Sequence, residues 1–93
     1  MKRIIIDQVE GFSKMDVYFI DTNNDNGIEG LREGLTHTEA YNYINELIID
    51  HKMSDTDLIR NNWYDSNEYL VYSEKMTIKE YCYISITDEG DWK

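Results

Sequence analysis

A chain of 93 residues with no proline, 41% hydrophobic and 13% aromatic residues is long enough for one domain, and too rich in apolar side chains for an acidic disordered tail. Nineteen Asp and Glu against nine Lys and Arg give a formal charge of -10 spread along the whole chain; this repels nucleic-acid phosphates and anionic membranes and favours a basic surface as partner. Asp7 and Glu10 cut the apolar run after Met1-Lys2-Arg3 short of a signal or a span, and the single Cys82 cannot form an internal disulfide, so a cytoplasmic location is expected.

Ile4, Ile5 and Ile6 form a β-branched run that predicts a strand over Lys2–Val9, ended by Gly11. From Met15 to Asp21 the side chains alternate, with Met15, Val17 and Phe19 on one face and Asp16, Tyr18 and Ile20 on the other. The short Gly11-Phe12-Ser13-Lys14 link makes these two strands an antiparallel hairpin. Turn formers crowd residues 21–27, and Gly30 and Gly34 extend the irregularity, so 21–35 reads as a partly ordered loop with one short turn of helix.

Thr36-His37-Thr38-Glu39 has the capping-box pattern, a hydroxyl N-cap with a Glu three residues on, and opens a helix predicted to run to Lys52. Ala40, Ile44, Leu47, Ile48 and His51 form its apolar stripe, while Glu39, Asn42, Glu46 and Asp50 lie on the solvated side. Ser54-Asp55-Thr56-Asp57 reads as a second cap, for a short helix carrying Leu58 and Ile59 and ending at Asn61-Asn62. After the turn Asp65-Ser66-Asn67, residues 69–72 read as a third strand. Over 77–87, Ile78, Glu80, Cys82, Ile84 and Ile86 alternate with Lys79, Tyr81, Tyr83, Ser85 and Thr87, which predicts a fourth, closed by the acidic run Asp88-Glu89-Gly90-Asp91.

The order β-β-α-(α)-β-β makes this an α+β fold: a single domain with a mostly antiparallel four-stranded sheet covered on one face by the main helix. Tyr18, Tyr81 and Tyr83 then fall on the uncovered face. Tyr43, Tyr69 and Tyr72 are expected to serve core or sheet-surface packing.

The run from Asp21 to Glu33 invites comparison with a calcium loop, but neither frame fits, the first failing on spacing and the second, which puts Gly27 at six and Glu33 at twelve, on its first ligand. From Asp21 the glycine comes one position late and Arg32 falls where the bidentate Glu belongs; from Thr22 a neutral hydroxyl stands in place of the first carboxylate. His37, His51 and Cys82 contain no close ligand pair, and read as a solvated helix start, a last-turn cation and a core thiol on a strand. No nucleophile sits beside a base and no phosphate-binding glycine pattern occurs, so neither enzymatic activity nor a cofactor or metal is expected. Carboxylates beside tyrosines instead suit an interface that receives Arg and Lys. Along the helix, Glu39, Glu46 and Asp50 stand about 10 and 6 Å apart at 1.5 Å per residue, loosely like a row of phosphates, and a solvated helix face gives the same pattern.

A small, proline-free, strongly acidic α+β chain resembles the phage-encoded inhibitors of bacterial defence, particularly the acidic anti-CRISPR proteins that cover the nucleic-acid groove of a Cas effector. The resemblance rests on size, charge and element content. It implies stoichiometric inhibition in the host-cell cytoplasm, with carboxylates replacing DNA phosphates on Arg and Lys of the effector. Asp21, Asp25, Glu29, Glu39, Glu46 and Asp50 are the expected contacts, and no direct nucleic-acid binding is expected. An immunity protein or antitoxin neutralising a basic nuclease would use the same electrostatics, and a small accessory domain could carry the charge for solubility alone.

Overall fold

The computed structural model describes residues 1–23 and 27–87, with side chains at the C-terminal end as far as Cys82. Its elements are β1 (Lys2–Val9), β2 (Met15–Asp21), β3 (Ile28–Leu35), α1 (His37–Asp50), β4 (Leu58–Tyr64), β5 (Leu70–Thr77) and α2 (Ile78–Thr87). The strands form one five-stranded sheet in the order β3-β2-β1-β4-β5. β1 pairs antiparallel with β2, as the short link predicts, but parallel with β4, because α1 carries the chain back to the end from which β1 set out. The fold is therefore α+β as expected, with a mixed sheet of five strands and two helices rather than a mostly antiparallel four.

Three segments depart from the sequence reading. The expected loop over 21–35 yields a strand, β3, from Ile28 onward. Its pairs Met15↔Leu35, Val17↔Arg32 and Phe19↔Glu29 advance three residues on β3 for two on β2, twice over. Gly30 and Gly34, at φ +62° and +67°, allow these bulges, so the glycines kink a strand and do not end it. The Ser54–Asp57 cap forms only a turn, with Asp57 Oδ2 accepting from the Ser54 N–H at 2.8 Å and Oδ1 from the Lys2 N–H at 3.2 Å. The expected short helix is strand β4, held by parallel pairing of Ile59 with Ile4. The last expected strand divides at Thr77. Glu80 donates its N–H to Thr77 Oγ1 at 3.1 Å and accepts the Thr77 N–H at 3.0 Å, a second capping box that starts α2. On that helix Ile78 and Tyr81 are buried and Cys82 is exposed, so the thiol is not the core residue its strand reading required.

The main core lies between the helices and one sheet face. Ile4, Val17, Phe19, Ile44 and Ile59 are its largest fully buried side chains, consistent with alternation along β1 and β2 and with the stripe of α1. Tyr43 joins that stripe, buried and donating its hydroxyl to the Gly30 carbonyl. α1 ends at Asp50, two residues before the expected Lys52, and its C-cap His51 stacks its ring on Phe19 with centroids 3.6 Å apart. The outer edge strand β5 exposes Leu70, Val71 and Tyr72. Among the described residues no helix is long and apolar enough to cross a membrane.

Two outcomes follow from this local structure. A Cβ at Gly30 would stand 2.5 Å from the Tyr43 hydroxyl oxygen, whereas one at Gly34 meets nothing within 4 Å. Both positions have positive φ, so each Gly→Ala change should lower the urea midpoint by the equivalent of about 1 kcal/mol or more, with Gly30→Ala the costlier.

At the helix start the Thr36 N–H, then its hydroxyl, hold the Glu39 carboxyl below its ordinary range. A carboxyl depressed in the folded state stabilises above its unfolded pKa and loses that contribution as pH falls through its folded pKa. In urea titrations at high salt, where self-repulsion is screened, Glu39→Gln should be less stable than the wild type near neutrality, and the gap should close as pH falls below the ordinary carboxylate range.

Candidate partner-binding surface

Five of the six carboxylates singled out in the sequence fall on described residues, and they are spread over β2, β3 and α1. Glu39 accepts the Thr36 N–H at 2.9 Å and is committed to the cap of α1. Glu46, one flank along, lies 3.8 Å from the Arg32 guanidinium, which also sits 3.9 Å over the Tyr43 ring. Asp21 is half-buried at the end of β2, accepting the Asn23 N–H at 3.0 Å, with the chain-terminal amine 3.9 Å away. Glu29 sits opposite Phe19, whose ring stacks on the residue following Asp50, so Glu29 and Asp50 mark one end of the seam between β3 and α1. Glu39 is about 16 Å from Asp50 along the helix axis. Asp25 lies outside the described residues.

A denser constellation occupies the uncovered face of the sheet. Asp7 on β1 and Asp16 on β2 are directly opposite one another. Alternation places Tyr18 and Arg60 on the same face, flanking Ile5, which is itself buried. The Asp16 carboxylate accepts the Gly34 N–H of β3 at 3.0 Å, and Asp7 accepts from Asn62 Nδ2 of β4 at 3.0 Å. Asn62 Oδ1 in turn accepts from Ser73 Oγ of β5 at 2.9 Å and from Arg60 Nε at 3.1 Å. One polar row thus crosses all five strands, joined by hydrogen bonds except where Asp7 and Asp16 face each other.

Two tyrosines enclose Asp7. Burial, then the charge and hydrogen bonding of Asp7, push the Tyr18 phenol up to about 12. Burial foremost, followed by the Asp7 charge, also raises Tyr64. Both phenols therefore remain protonated near neutrality and act as donors to the carboxylate. Shallow depressions of about 230 and 220 Å³ meet at Asp7, Val9 and Asp16, one walled by Phe12 and Lys14 and the other by Tyr64 and Glu68. Phe12 is 71% exposed. Among the described residues the ion pairs are those of Asp21 and Glu46, so neither Asp7 nor Asp16 has a cation within ion-pair distance.

Of the tyrosines expected on this face, Tyr18 is there, Tyr81 is buried on α2, and the side chain of Tyr83 lies outside the described ones. Tyr72 is more than half exposed, with its ring 5.5 Å from Trp63, and Tyr69 is more exposed still. Glu29 and Glu33, the later positions of the calcium-like run, lie on the extended strand β3. Among the described residues no group of three or more His, Cys, Asp and Glu is placed to hold a metal ion. What this face can do chemically is receive a cation: two adjacent carboxylates offer several lone pairs to a guanidinium or ammonium, and the aromatic rims give its alkyl stem something to pack on.

No protein-family model, curated protein or solved structure matches this chain, so its functional reading rests on the chemistry of this surface. Asp7→Asn removes both the charge and the anionic acceptor that hold Tyr18 protonated while leaving its burial intact. The Tyr18 titration, followed by the ring 13C resonance, should move down from about 12 and stop above its ordinary value of 10.0.

Proposed function

We propose that the protein is a stoichiometric inhibitor, anti-CRISPR-like in action, that docks on a basic nucleic-acid-handling protein such as a Cas effector and blocks its nucleic-acid binding. The observation that carries this reading is the Asp7–Asp16 pair: two carboxylates directly opposite on an uncovered sheet face, with no cation among the described residues within ion-pair distance. Like charges so placed cost about 0.2–1 kcal/mol of stability, and a partner's Arg or Lys inserted between them turns that repulsion into attraction. Tyr18 and Tyr64 hold Asp7 in place, Phe12 and Tyr64 flank the entering side chain, and Glu68 extends the acidic wall.

Around this centre, Asp21, Asp25, Glu29, Glu39, Glu46 and Asp50 act mainly through the field they create. A charge of -10 accelerates encounter with a basic surface and makes association fall with salt. The contacts stand in for phosphates, so the inhibitor competes with nucleic acid for its partner and does not bind nucleic acid itself.

The test is capture of partners from host lysate on the immobilised protein. The expected product is a basic nucleic-acid-handling protein, released by raised salt and by added duplex DNA. The Asp7→Asn, Asp16→Asn double variant should weaken capture by about 2 kcal/mol, as removal of a contact does, while Glu46→Gln with Asp50→Asn should chiefly slow association. Tight binding of the isolated protein to DNA, or unchanged capture by the double variant, would sink the proposal. A captured toxin nuclease would assign the same surface to immunity instead.

A further inference from the structure

The two helices do not close over the sheet. α1 packs mainly over β2 and β3, α2 lies over β4 and β5, and between them a cavity of about 280 Å³ opens above β1 and β4. Its walls include Met15, Ile44 and Met76, with Trp63 at one side, and its floor carries a pair of side-chain amides, Gln8 and Asn61. Among the described residues no Asp, Glu, Lys or Arg lines it, although those residues make up 30% of the chain; His37 and Tyr81 are the ionisable members of that described lining.

We propose that this cavity is a binding site for a small, flat, uncharged heteroaromatic molecule presenting a donor and an acceptor side by side, as a lactam edge does. Size sets the first limit. A dry apolar cavity of about 150 Å³ accepts benzene, so nearly twice that volume suits two fused rings. Charge sets the second. An anion would enter against the field of a chain at -10 and find no cation among the described lining residues, while a strong cation would find no carboxylate among them and would be held at the outer surface.

The amides set the third. Gln8 Nε2 donates to Asn61 Oδ1 at 3.3 Å, and among the described residues this is the one side-chain hydrogen bond that either makes. One carbonyl oxygen and one amino group are left over, and exchanging O and N on both amides leaves the same complement. A ligand N–H donates to the Gln8 carbonyl and a ligand carbonyl accepts from the Asn61 amino group. A purely apolar guest would leave both amide groups unpaired, and sites of this kind discriminate strongly against analogues lacking the matching groups. This site lies on the helix-covered face of the sheet, opposite the Asp7–Asp16 surface, and does not depend on the partner proposed for that surface.

The test uses the full 15N-labelled chain and two probes of equal ring size, 2-quinolone, which carries the lactam edge, and quinoline, which carries an acceptor alone. 2-Quinolone should give saturable shifts of the Trp63 indole N–H and of the Gln8 and Asn61 side-chain amides, with quinoline weaker by at least about tenfold. Gln8→Leu should erase that preference while leaving quinoline binding within about threefold, and Asn61→Leu, which removes the donor both probes use, should weaken both. If either variant fails to fold, the wild-type preference between the two probes still decides. No saturable shift with 2-quinolone, equal affinity of the two probes for the wild type, or shifts centred on Tyr64 and the opposite face would each overturn the proposal.

Discussion

The parallel pairing of β4 against β1 is the constraint on which the rest of the molecule depends. It places Ile59 beside Ile4 on the covered face and Asn62 beside Asp7 on the other. It also requires a long return, which α1 supplies, and that return delivers the helix stripe onto the central strands. Without this pairing the chain would be two separate hairpin units, β1-β2-β3 and β4-β5, each too small to bury its own apolar face. With it, each unit brings its own helix, and the space left between those helices is the cavity over the middle of the sheet.

The uncovered face shows how a chain with this charge keeps its carboxylates ordered with few cations to spend on them. Asp7 is held by an amide and two phenols, and Asp16 by a backbone N–H of the bulged strand. Arg60, a cation on the same face, is bonded to Asn62 and Ser73. Neutral donors orient a carboxylate without cancelling its charge, whereas the carboxylates at Glu39 and Glu46 are already engaged by a helix cap and an arginine. The distinction between an acid that builds the fold and one that faces outward is therefore one of hydrogen-bond partners, which net charge does not report.

Much of the scaffold was legible because its signals are local. The β1-β2 hairpin and the α1 capping box were read at the right residues, and the box at Thr36 owes nothing to tertiary context. The same Thr-x-x-Glu signature recurs at Thr77-Ile78-Lys79-Glu80, yet there an alternating pattern of Ile, Cys and Tyr masked it; residues that alternate also recur every three or four positions, and Ile78 and Tyr81 exploit the helical spacing. At Leu58 the reverse happened, with a cap-like turn standing before a segment whose β-branched and aromatic residues belonged to a strand. Gly30 and Gly34 looked like breaks because a bulge and a loop ask for the same positive φ. The Asp7–Asp16 pair needed only the hairpin register, but Asn62 and Tyr64 reach it through the parallel strand, a non-local pairing that no short-range pattern encodes.

The two edges of the sheet differ in kind. β3 is kinked by two bulges along its middle, while β5 has one irregularity, at Val71 near its start, pairs with β4 in unbroken register from Tyr72 to Thr77, and turns Leu70, Val71 and Tyr72 to solvent. A strand added to a sheet needs a regular row of unpaired N–H and C=O groups, and a bulged edge does not offer one. Head-to-tail growth would have to join β5 of one copy to β3 of the next, a heterologous contact that repeats without limit and forms filaments. With one edge spoiled, that route is closed. Edge-to-edge pairing between copies is then left with β5 against β5 about a two-fold axis, which stops at two copies, so the glycines that misshape β3 also guard an exposed apolar edge against head-to-tail growth.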